Sequence, residues 1–226
     1  LKHLDISSNK LVGAFPSAVS TLHQLEYLDI GSNSFTGSLQ FLGSLCTSTN
    51  GNKLRVFGAS KNHFTHAMPL HIGRCADLES LDISRNKLTN TIPTAIGSLF
   101  KLNTLYLNNN HFGHVIPSEI GACTTLTLLA LQENYFTGSI PGELGSLHVL
   151  QSLVLDHNTL GGTHIPTNLL YCSSLKVLSM SNTGLAGNMD DVSIDVGGSS
   201  KAIGDSFPKL RILNLQLNML SGMTHC

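Results

Sequence analysis

The stretch LTLLALQENYFTGSIPGELGSLHVL, residues 126–150, contains the pattern that decides the fold of this chain. Its leucines Leu126, Leu129 and Leu131 precede Asn134 with the spacing L-x-x-L-x-L-x-x-N, and the same spacing starts again 24 residues later. A sequence period of this length is typical of proteins built from stacked structural units. The period therefore takes priority over any local indication of a strand or a helix.

The spacing occurs nine times in the 226 residues, and we call each copy a coil, numbered from the amino terminus. The first leucines of the coils are Leu1, Leu25, Leu54, Leu78, Leu102, Leu126, Leu150, Leu175 and Leu210. The ninth position of each coil, which we call the ladder position, is held by Asn9, Asn33, Asn62, Asn86, Asn110, Asn134, Asn158, Thr183 and Asn218. Nine matches in register predict a repeat protein.

The leucine spacing within a coil predicts one short strand. Alternate residues of a strand face opposite sides, so Leu105 and Leu107 are expected to point inward while Thr104, Tyr106 and Asn108 point outward. A single coil cannot bury its apolar side, but coils stacked about 4.8 Å apart can share a continuous core. Nine parallel strands would then extend roughly 40 Å along the stack.

The residues after the ladder position also repeat. The ladder asparagine is expected to turn the chain and to satisfy backbone groups of the loop with its amide. Glycine follows four positions later at Gly13, Gly37, Gly138, Gly162, Gly187 and Gly222. An apolar-proline pair comes next in six coils, at Phe15-Pro16, Met68-Pro69, Ile92-Pro93, Ile116-Pro117, Ile140-Pro141 and Ile165-Pro166. Because proline lacks an N–H, it suits an edge segment or the start of a helical turn.

The segment NYFTGSIPGELGSL, residues 134–147, resembles the plant-specific class of leucine-rich repeats, N-x-L-x-G-x-I-P-x-x-[LI]-G-x-L. The resemblance extends over essentially the whole chain. It implies an α/β fold, a right-handed leucine-rich-repeat solenoid with a concave parallel sheet, a short second strand and convex 3₁₀ or short helical turns. We therefore expect a single domain, residues 1–226, of about nine repeats without polar end caps.

Composition excludes some classes of partner. Charged residues make up 12% of the chain and the formal net charge is −1, which argues against nucleic acid, since phosphate binding relies on clustered Lys and Arg. The apolar runs are shorter than the roughly 18 residues that a membrane span requires, so no membrane contact is expected within this segment. Because Leu1 already lies inside a coil, we expect it to be a fragment boundary, and a missing signal peptide says nothing about location.

Two insertions interrupt the period, near residues 46–52 and 188–207. In the second, Val192, Ile194 and Val196 alternate with polar residues and could form a small hairpin. The same segment has the acidic residues Asp190, Asp191, Asp195 and Asp205, without the spacing of a calcium loop. A tolerated surface insertion and a share of a binding site both remain open.

Three cysteines replace core leucines. Cys75, Cys123 and Cys172 each lie three residues before the first leucine of a coil, and they are two coils apart from one another. That distance of about 10 Å exceeds the Cα separation of about 7 Å that a disulfide allows, so all three are predicted to be buried free thiols. Cys46 and Cys226 lie near opposite ends, and each is predicted to have a partner outside this sequence or to be free.

The histidine pairs His63/His66 and His111/His114 each flank a phenylalanine at equivalent positions of two coils. They are too far apart to share one ion, because metal–nitrogen distances are near 2 Å. We interpret them as solvated turn residues and predict no metal site and no cofactor. Gly-rich phosphate loops, paired catalytic carboxylates and nucleophile motifs are likewise missing from the sequence, so we predict that the chain is not an enzyme.

The outward strand residues, with those that precede the ladder position, are the candidate ligand-binding surface. The candidates are Tyr27, Asp29, Asp82, Arg85, Tyr106, Asn108, Gln132, Glu133, Asp156 and His157. Tyr27 and Tyr106 are expected to act as anchors, because tyrosine combines a rigid apolar ring with a polar tip. The charged and amide side chains would fix the register and charge of the ligand.

The resemblance implies a recognition module, part of the ectodomain of a receptor kinase or receptor-like protein that binds a peptide or protein ligand and a leucine-rich-repeat co-receptor. An alternative is a secreted inhibitor of a polygalacturonase-like cell-wall enzyme. An ice-binding protein would need a regular row of threonines. The partial row of Thr36, Thr65, Thr89 and Thr137 is interrupted at Gly113 and Gly161. The implied location is extracellular or on the cell surface, with a cytoplasmic location as the alternative.

Overall fold

The structure is a computed structural model that describes residues 1–46, 53–161, 165–188, 194–195, 200–201 and 207–221. Several sequence predictions lie outside these residues. They concern most of both insertions, including residues 47–52, and the individual residues Gly162, Asp190, Asp191, Val192, Val196, Asp205, Gly222 and Cys226.

The nine predicted strands form one parallel sheet in which their spatial order equals their chain order. Its strands are His3–Asp5, Tyr27–Asp29, Val56–Gly58, Ser80–Asp82, Thr104–Tyr106, Leu128–Ala130, Ser152–Val154, Val177–Ser179 and Ile212–Asn214. Each strand pairs at equivalent positions with its neighbours, so Leu105 lies opposite Leu81 on one side and Leu129 on the other. This arrangement confirms the predicted solenoid, and we call the outer side of the sheet the concave face.

A second set of short strands begins just after the ladder position, and we call the surface they form the lateral face. These strands are Val12–Ala14, Ser34–Gly37, His63–Phe64, Thr89–Asn90, His111–His114, Tyr135–Phe136, Ala186–Asn188 and Met219–Ser221. They pair in parallel as two three-stranded sheets and one two-stranded sheet. The short second strand that the resemblance implied is therefore present.

Short helices cover the side opposite the main sheet. The 3₁₀ helices are Ser17–Thr21, Ile72–Arg74, Thr94–Ser98, Ser118–Ala122, Gly142–Ser146 and Thr167–Tyr171, and coil 2 has the α-helix Gln40–Leu45 in their place. Five of the 3₁₀ helices directly follow a proline of the apolar-proline pairs, at Pro16, Pro93, Pro117, Pro141 and Pro166. Proline favours this place because its fixed φ is compatible with a helical start and no N–H has to be paired.

The leucine spacing puts the core where the sequence predicts it. Leu105 and Leu107 are both 0% exposed, as are the phenylalanines Phe64, Phe112 and Phe136 that follow the ladder position. Burying a side chain of this size contributes about 1.5–3 kcal/mol relative to leaving it in water. Because each coil supplies the same set, the core is one continuous column along the stack.

The ladder asparagines connect each coil to the preceding one. The Asn110 amide nitrogen donates to the carbonyls of Ile83 at 3.0 Å and Leu107 at 3.1 Å, and its oxygen accepts from the Leu88 N–H at 3.0 Å. Ile83 and Leu88 belong to coil 4, so one side chain satisfies buried backbone groups of two coils. In coil 8, the Thr183 hydroxyl donates to the carbonyl of Met180 within its own coil at 3.1 Å.

Of the four cysteines that the structure describes, two are free thiols and two form a disulfide. Cys123 and Cys172 are buried free thiols, as predicted, and burial raises the pKa of each thiol to about 11. The predictions that Cys75 is free and that Cys46 is free or paired outside this sequence were both wrong, since the two form a disulfide over a Cα–Cα distance of 5.0 Å. The two cysteines are 29 residues apart, which equals the step from Asn33 to Asn62, so they occupy equivalent places in adjacent coils.

The second insertion contains a pair of short strands. Ile194–Asp195 and Ser200–Lys201 pair antiparallel, with Ile194 opposite Lys201. This pair lies in the segment where alternation of apolar and polar residues predicted a hairpin. Phe207, three residues before the first leucine of coil 9, is buried in the common core.

Candidate functional site

The concave face presents two columns of side chains, from the first and third residue of each strand. The first column is His3, Tyr27, Val56, Ser80, Thr104, Leu128, Ser152, Val177 and Ile212. The third-residue column is Asp5, Asp29, Gly58, Asp82, Tyr106, Ala130, Val154, Ser179 and Asn214. In these columns the aspartates and aromatic rings are confined to coils 1–5, and coils 6–9 present aliphatic residues together with Ser152, Ser179 and Asn214.

The predicted anchors lie in two separate groups. Tyr106 is directly opposite Asp82 in the sheet, so this pair forms a contiguous aromatic and acidic patch. The second group lies in coils 1 and 2, where Tyr27 stacks on His3 with ring centroids 4.1 Å apart. Partial burial and the negative charges of Asp29 and Asp5 raise the pKa of the Tyr27 phenol, which therefore stays protonated at neutral pH.

The carboxylates of the acidic half are held in place by their own chain. Asp29 Oδ1 accepts from the Gly31 N–H at 2.8 Å, and Asp82 Oδ1 accepts from the Ser84 N–H at 3.0 Å and the Ser84 hydroxyl at 2.6 Å. These bonds fix the carboxylates without neutralising them. The acidic half therefore offers preorganised negative charge to a ligand.

Gly58 makes room for one of these carboxylates. A Cβ atom at this position would lie 2.7 Å from Asp29 Oδ1, closer than side-chain atoms approach each other. Gly58 sits between Asp29 and Asp82 in the third-residue column. The space that a side chain would take at this position is filled by the Asp29 carboxylate.

Two of the predicted residues are buried instead of presented. Asp156 is 9% exposed, and its Oδ1 accepts from the hydroxyls of Ser179 at 2.7 Å and Ser181 at 2.6 Å, so it connects coil 7 to coil 8. Asn108 is also 9% exposed and donates to the Asn109 side chain at 2.8 Å. Asp156 is therefore held by the neighbouring coil and Asn108 by the adjacent residue of its own coil. We do not include either in the proposed ligand-contacting set.

Gln132 lies between these two positions, on the concave face of coil 6. Its side-chain oxygen is buried and has no hydrogen-bond partner within the part of the chain that the structure describes. A buried acceptor without a partner costs about 1–3 kcal/mol. Gln132 is therefore a place where a donor from a ligand would be favoured.

The rim of the concave face carries a depression that sequence reasoning only partly found. Its volume is about 310 Å³, and it is lined by the predicted Glu133 and His157 together with His111, Tyr135 and Asn109. Tyr135 is 60% exposed and stacks on His111 with centroids 5.6 Å apart. The signal for this pair was present in the sequence, since both follow a ladder asparagine directly.

Arg85 lies on the same rim in coil 4, two coils before Glu133, and it is exposed. Its φ is +52°, and the residues before the ladder position adopt this left-handed conformation from Ser8 through Leu217. The conformation turns the chain out of the strand and points these side chains to the rim. Arg85, Glu133 and His157 therefore border the concave face instead of lying on its floor.

The described residues contain no group of three or more His, Cys, Asp or Glu side chains placed to hold a metal ion. Among the helices of the same residues, none is long and apolar enough to cross a membrane. The site consists of an extended surface and a shallow rim depression. Such a shape suits contact with an elongated partner better than enclosure of a small molecule.

The repeat is matched by a family model described as "Leucine Rich Repeat" at residues 1–22, 77–99 and 101–123. The leucine-rich repeat receptor protein kinase MSP1 of Oryza sativa subsp. japonica is 35% identical over 83 residues, which is 35% of this chain and 6% of the kinase. Together with the nine-fold spacing, these matches identify the coils as leucine-rich repeats similar to those of plant receptor kinases.

Solved structures agree over nearly the full chain. The ectodomain of the membrane receptor kinase GASSHO1/SCHENGEN3 from Arabidopsis thaliana, in complex with CASPARIAN STRIP INTEGRITY FACTOR 2, is 34% identical with a TM-score of 0.83 and covers 98% of this chain. The Arabidopsis receptor kinase HAESA, in complex with the peptide hormone IDA and the co-receptor SERK1, is 26% identical with a TM-score of 0.67 over 97%. This chain spans 27% and 42% of those two chains, respectively.

Proposed function

We propose that this chain is the ligand-recognition part of a cell-surface receptor and that it binds a peptide or protein along its concave face. The observation that carries the proposal is the continuous nine-stranded sheet, whose outward side chains include acidic and aromatic groups in coils 1–5 and partly exposed aliphatic groups in coils 6–8. The similar plant ectodomains were solved with their ligands, and HAESA also with a co-receptor, which supports the same role for this segment.

The floor of the concave face favours a ligand with basic groups toward coils 1–4. Asp5, Asp29 and Asp82 recur in the third-residue column of this half, and Tyr106 continues it. In the other half, Leu128, Val154 and Val177 provide partly exposed apolar contacts. Charge complementarity on one half and apolar burial on the other would set the direction in which the ligand lies.

The alternatives have less support. The relatives described above are receptors, and none of them is an enzyme inhibitor, which disfavours the polygalacturonase-inhibitor reading. For ice binding, the row of threonines is broken at Gly113, and the Thr65 hydroxyl donates to the Gly37 carbonyl at 3.3 Å. A recognition role requires no catalytic group, and we propose a non-enzymatic binding module at the cell surface.

The test uses peptides selected on the immobilised chain from a displayed library of random sequences. Asp82→Ala combined with Tyr106→Ala removes adjacent charged and aromatic contacts, and we expect it to weaken the selected peptides at least about 30-fold in calorimetry. The matched control is Glu143→Ala with Tyr171→Ala, which removes an exposed acid and an exposed tyrosine from the convex 3₁₀ helices. The control is expected to bind like the wild-type chain.

Selected peptides are also expected to be enriched in Lys and Arg. Equal affinity for the wild-type chain and the concave double variant would refute the concave assignment. Circular dichroism melts of both double variants establish that the comparison is made between folded chains.

A further inference from the structure

The lateral face of coils 3–5 collects basic and imidazole side chains. They are Lys61, His63, His66, Arg85, Lys87, His111 and His114, and all are exposed. They lie one position before, one position after or four positions after the ladder position. Equivalent residues therefore follow one another about 4.8 Å apart along the stack. We call this set the basic strip.

The cations of the basic strip differ from those on the opposite rim. On that rim, ion pairs join Lys2 to Glu26 at 2.8 Å, Arg55 to Glu79 at 2.8 Å and Lys101 to Asp77 at 2.6 Å. In the described ranges of the chain, Lys61, Arg85 and Lys87 take part in no ion pair. On the same rim, Glu133 of coil 6 lies 4.0 Å from the ring of His157.

The backbone of the strip is strained at three successive coils. His66, Asn90 and His114 have φ values of 67°, 67° and 62°, at the place where Gly13 and Gly138 stand in other coils. A side chain in this conformation costs roughly 1–2 kcal/mol relative to the usual region. The three side chains are exposed and do not contribute to the core. The repeat itself requires this conformation, since Gly13 and Gly138 also have a positive φ, and coils 3–5 differ in carrying side chains there.

An apolar groove of about 630 Å³ adjoins the strip on the same coils. Its apolar lining includes Leu70, Ile92, Pro93, Val115 and Pro117, and the exposed Glu119 also lines it. Leu70 is 70% exposed and Val115 is 58% exposed, and Val115 directly follows the last histidine of the strip. Positive charge and exposed apolar surface therefore lie side by side.

We propose that this part of the lateral face binds an acidic, amphipathic segment of a protein partner, separately from the ligand on the concave face. Carboxylates of the segment would pair with Lys61, Arg85 and Lys87, while an apolar side chain would enter the groove beside Leu70 and Val115. The unpaired cations supply the charge complementarity, and the apolar groove favours a protein segment over an acidic polysaccharide.

The probe is a fluorescein-labelled peptide rich in glutamate with two central leucines, and its binding is measured by fluorescence anisotropy. The variant Lys61→Glu/Arg85→Glu/Lys87→Glu is expected to weaken binding at least about tenfold, and added salt is expected to weaken binding to the wild-type chain. The matched control, Lys53→Glu/Lys176→Glu/Lys209→Glu, makes the same change of net charge away from the lateral face. It is expected to retain most of the affinity.

Two further measurements distinguish a protein segment from an acidic polysaccharide as the binding partner. Leu70→Ser with Val115→Ser is expected to abolish the preference for this peptide over one in which serines replace the leucines. Polygalacturonate is expected to compete weakly. Equal loss of binding in the control triple variant, or strong strip-dependent binding of polygalacturonate without binding of the peptide, would overturn the proposal. Peptides selected for the concave face should still bind the Leu70→Ser/Val115→Ser variant, whose residues lie outside that face, so failure of one proposal is distinguishable from failure of the other.

Discussion

Coils 5 and 1 contain the same sequence motif, but its residues are buried in coil 5 and more exposed in coil 1. In coil 5, Asn110 is 5% exposed and forms hydrogen bonds with two residues of coil 4. In coil 1, Asn9 is exposed, and its amide donates only to the carbonyls of Ile6 and Ser7 in its own coil. The same difference appears in the core, because Leu105 is 0% exposed while Leu4 is only partly buried.

The comparison shows that a coil of this fold is stabilised mainly by its neighbours. Because each coil contacts only the adjacent ones, stability approximates a sum of coil and interface contributions. An identical residue can therefore have a large effect inside the stack and a small one in its first coil. The three predictions below, ordered from the largest effect to the smallest, test this dependence.

Asn110→Ala is expected to lower the free energy of unfolding by about 4 kcal/mol, because it leaves several buried backbone groups of two coils without partners. Asn9→Ala removes the equivalent amide in coil 1 and is expected to change the free energy of unfolding by less than about 0.5 kcal/mol. Urea unfolding followed by circular dichroism measures both. Similar losses for the two variants would contradict the neighbour-dependent account.

Replacing both Cys46 and Cys75 by serine is expected to lower the stability by about 3 kcal/mol, since the disulfide closes a long loop and restricts the unfolded chain. The cross-link joins coil 2 to coil 3, so hydrogen exchange should accelerate most in coils 1 and 2. Reductant provides the control. It should destabilise the wild-type chain to a similar extent and leave the double variant unchanged, and any other pattern would argue against the pairing.

His114→Gly is expected to raise the stability by about 1 kcal/mol, because glycine adopts a φ of 62° without steric cost. Gly13→Ala makes the reverse change in coil 1, where φ is 85° and no atom lies near the added Cβ. It is expected to lower the stability by about 1 kcal/mol. Thermal melts of the two variants should shift in opposite directions, and a loss of stability in His114→Gly would show that its side chain contributes to packing.

The disulfide shows how sequence reasoning can fail within a correctly predicted fold. Counting back from the next leucine aligns Cys75 with Cys123 and Cys172, but the insertion at residues 47–52 hides Cys46 from this comparison. Counting forward from Asn33 and Asn62 gives the same offset for both cysteines and predicts their contact. An insertion shifts the register only for residues beyond it.

The concave site was predictable in its position and less so in its composition. Strand alternation places Asp82 and Tyr106 side by side, as the structure has them. The same alternation could not indicate that Asp156 is buried by the serines of the following coil, because those contacts depend on side-chain geometry across two coils. His111 and Tyr135 were missed because they lie on the lateral strands instead of the main sheet.

The period, the stacking of nine strands, the inward leucines and the burial of Cys123 and Cys172 follow from the amino-acid sequence, because a repeated spacing constrains every coil in the same way. The folded chain was needed to show which cysteines meet and which polar side chains of the concave face stay accessible. It also showed that Lys61, Arg85 and Lys87 form no ion pair with the described residues. These features arise between neighbouring coils, where side chains more than twenty residues apart come into contact.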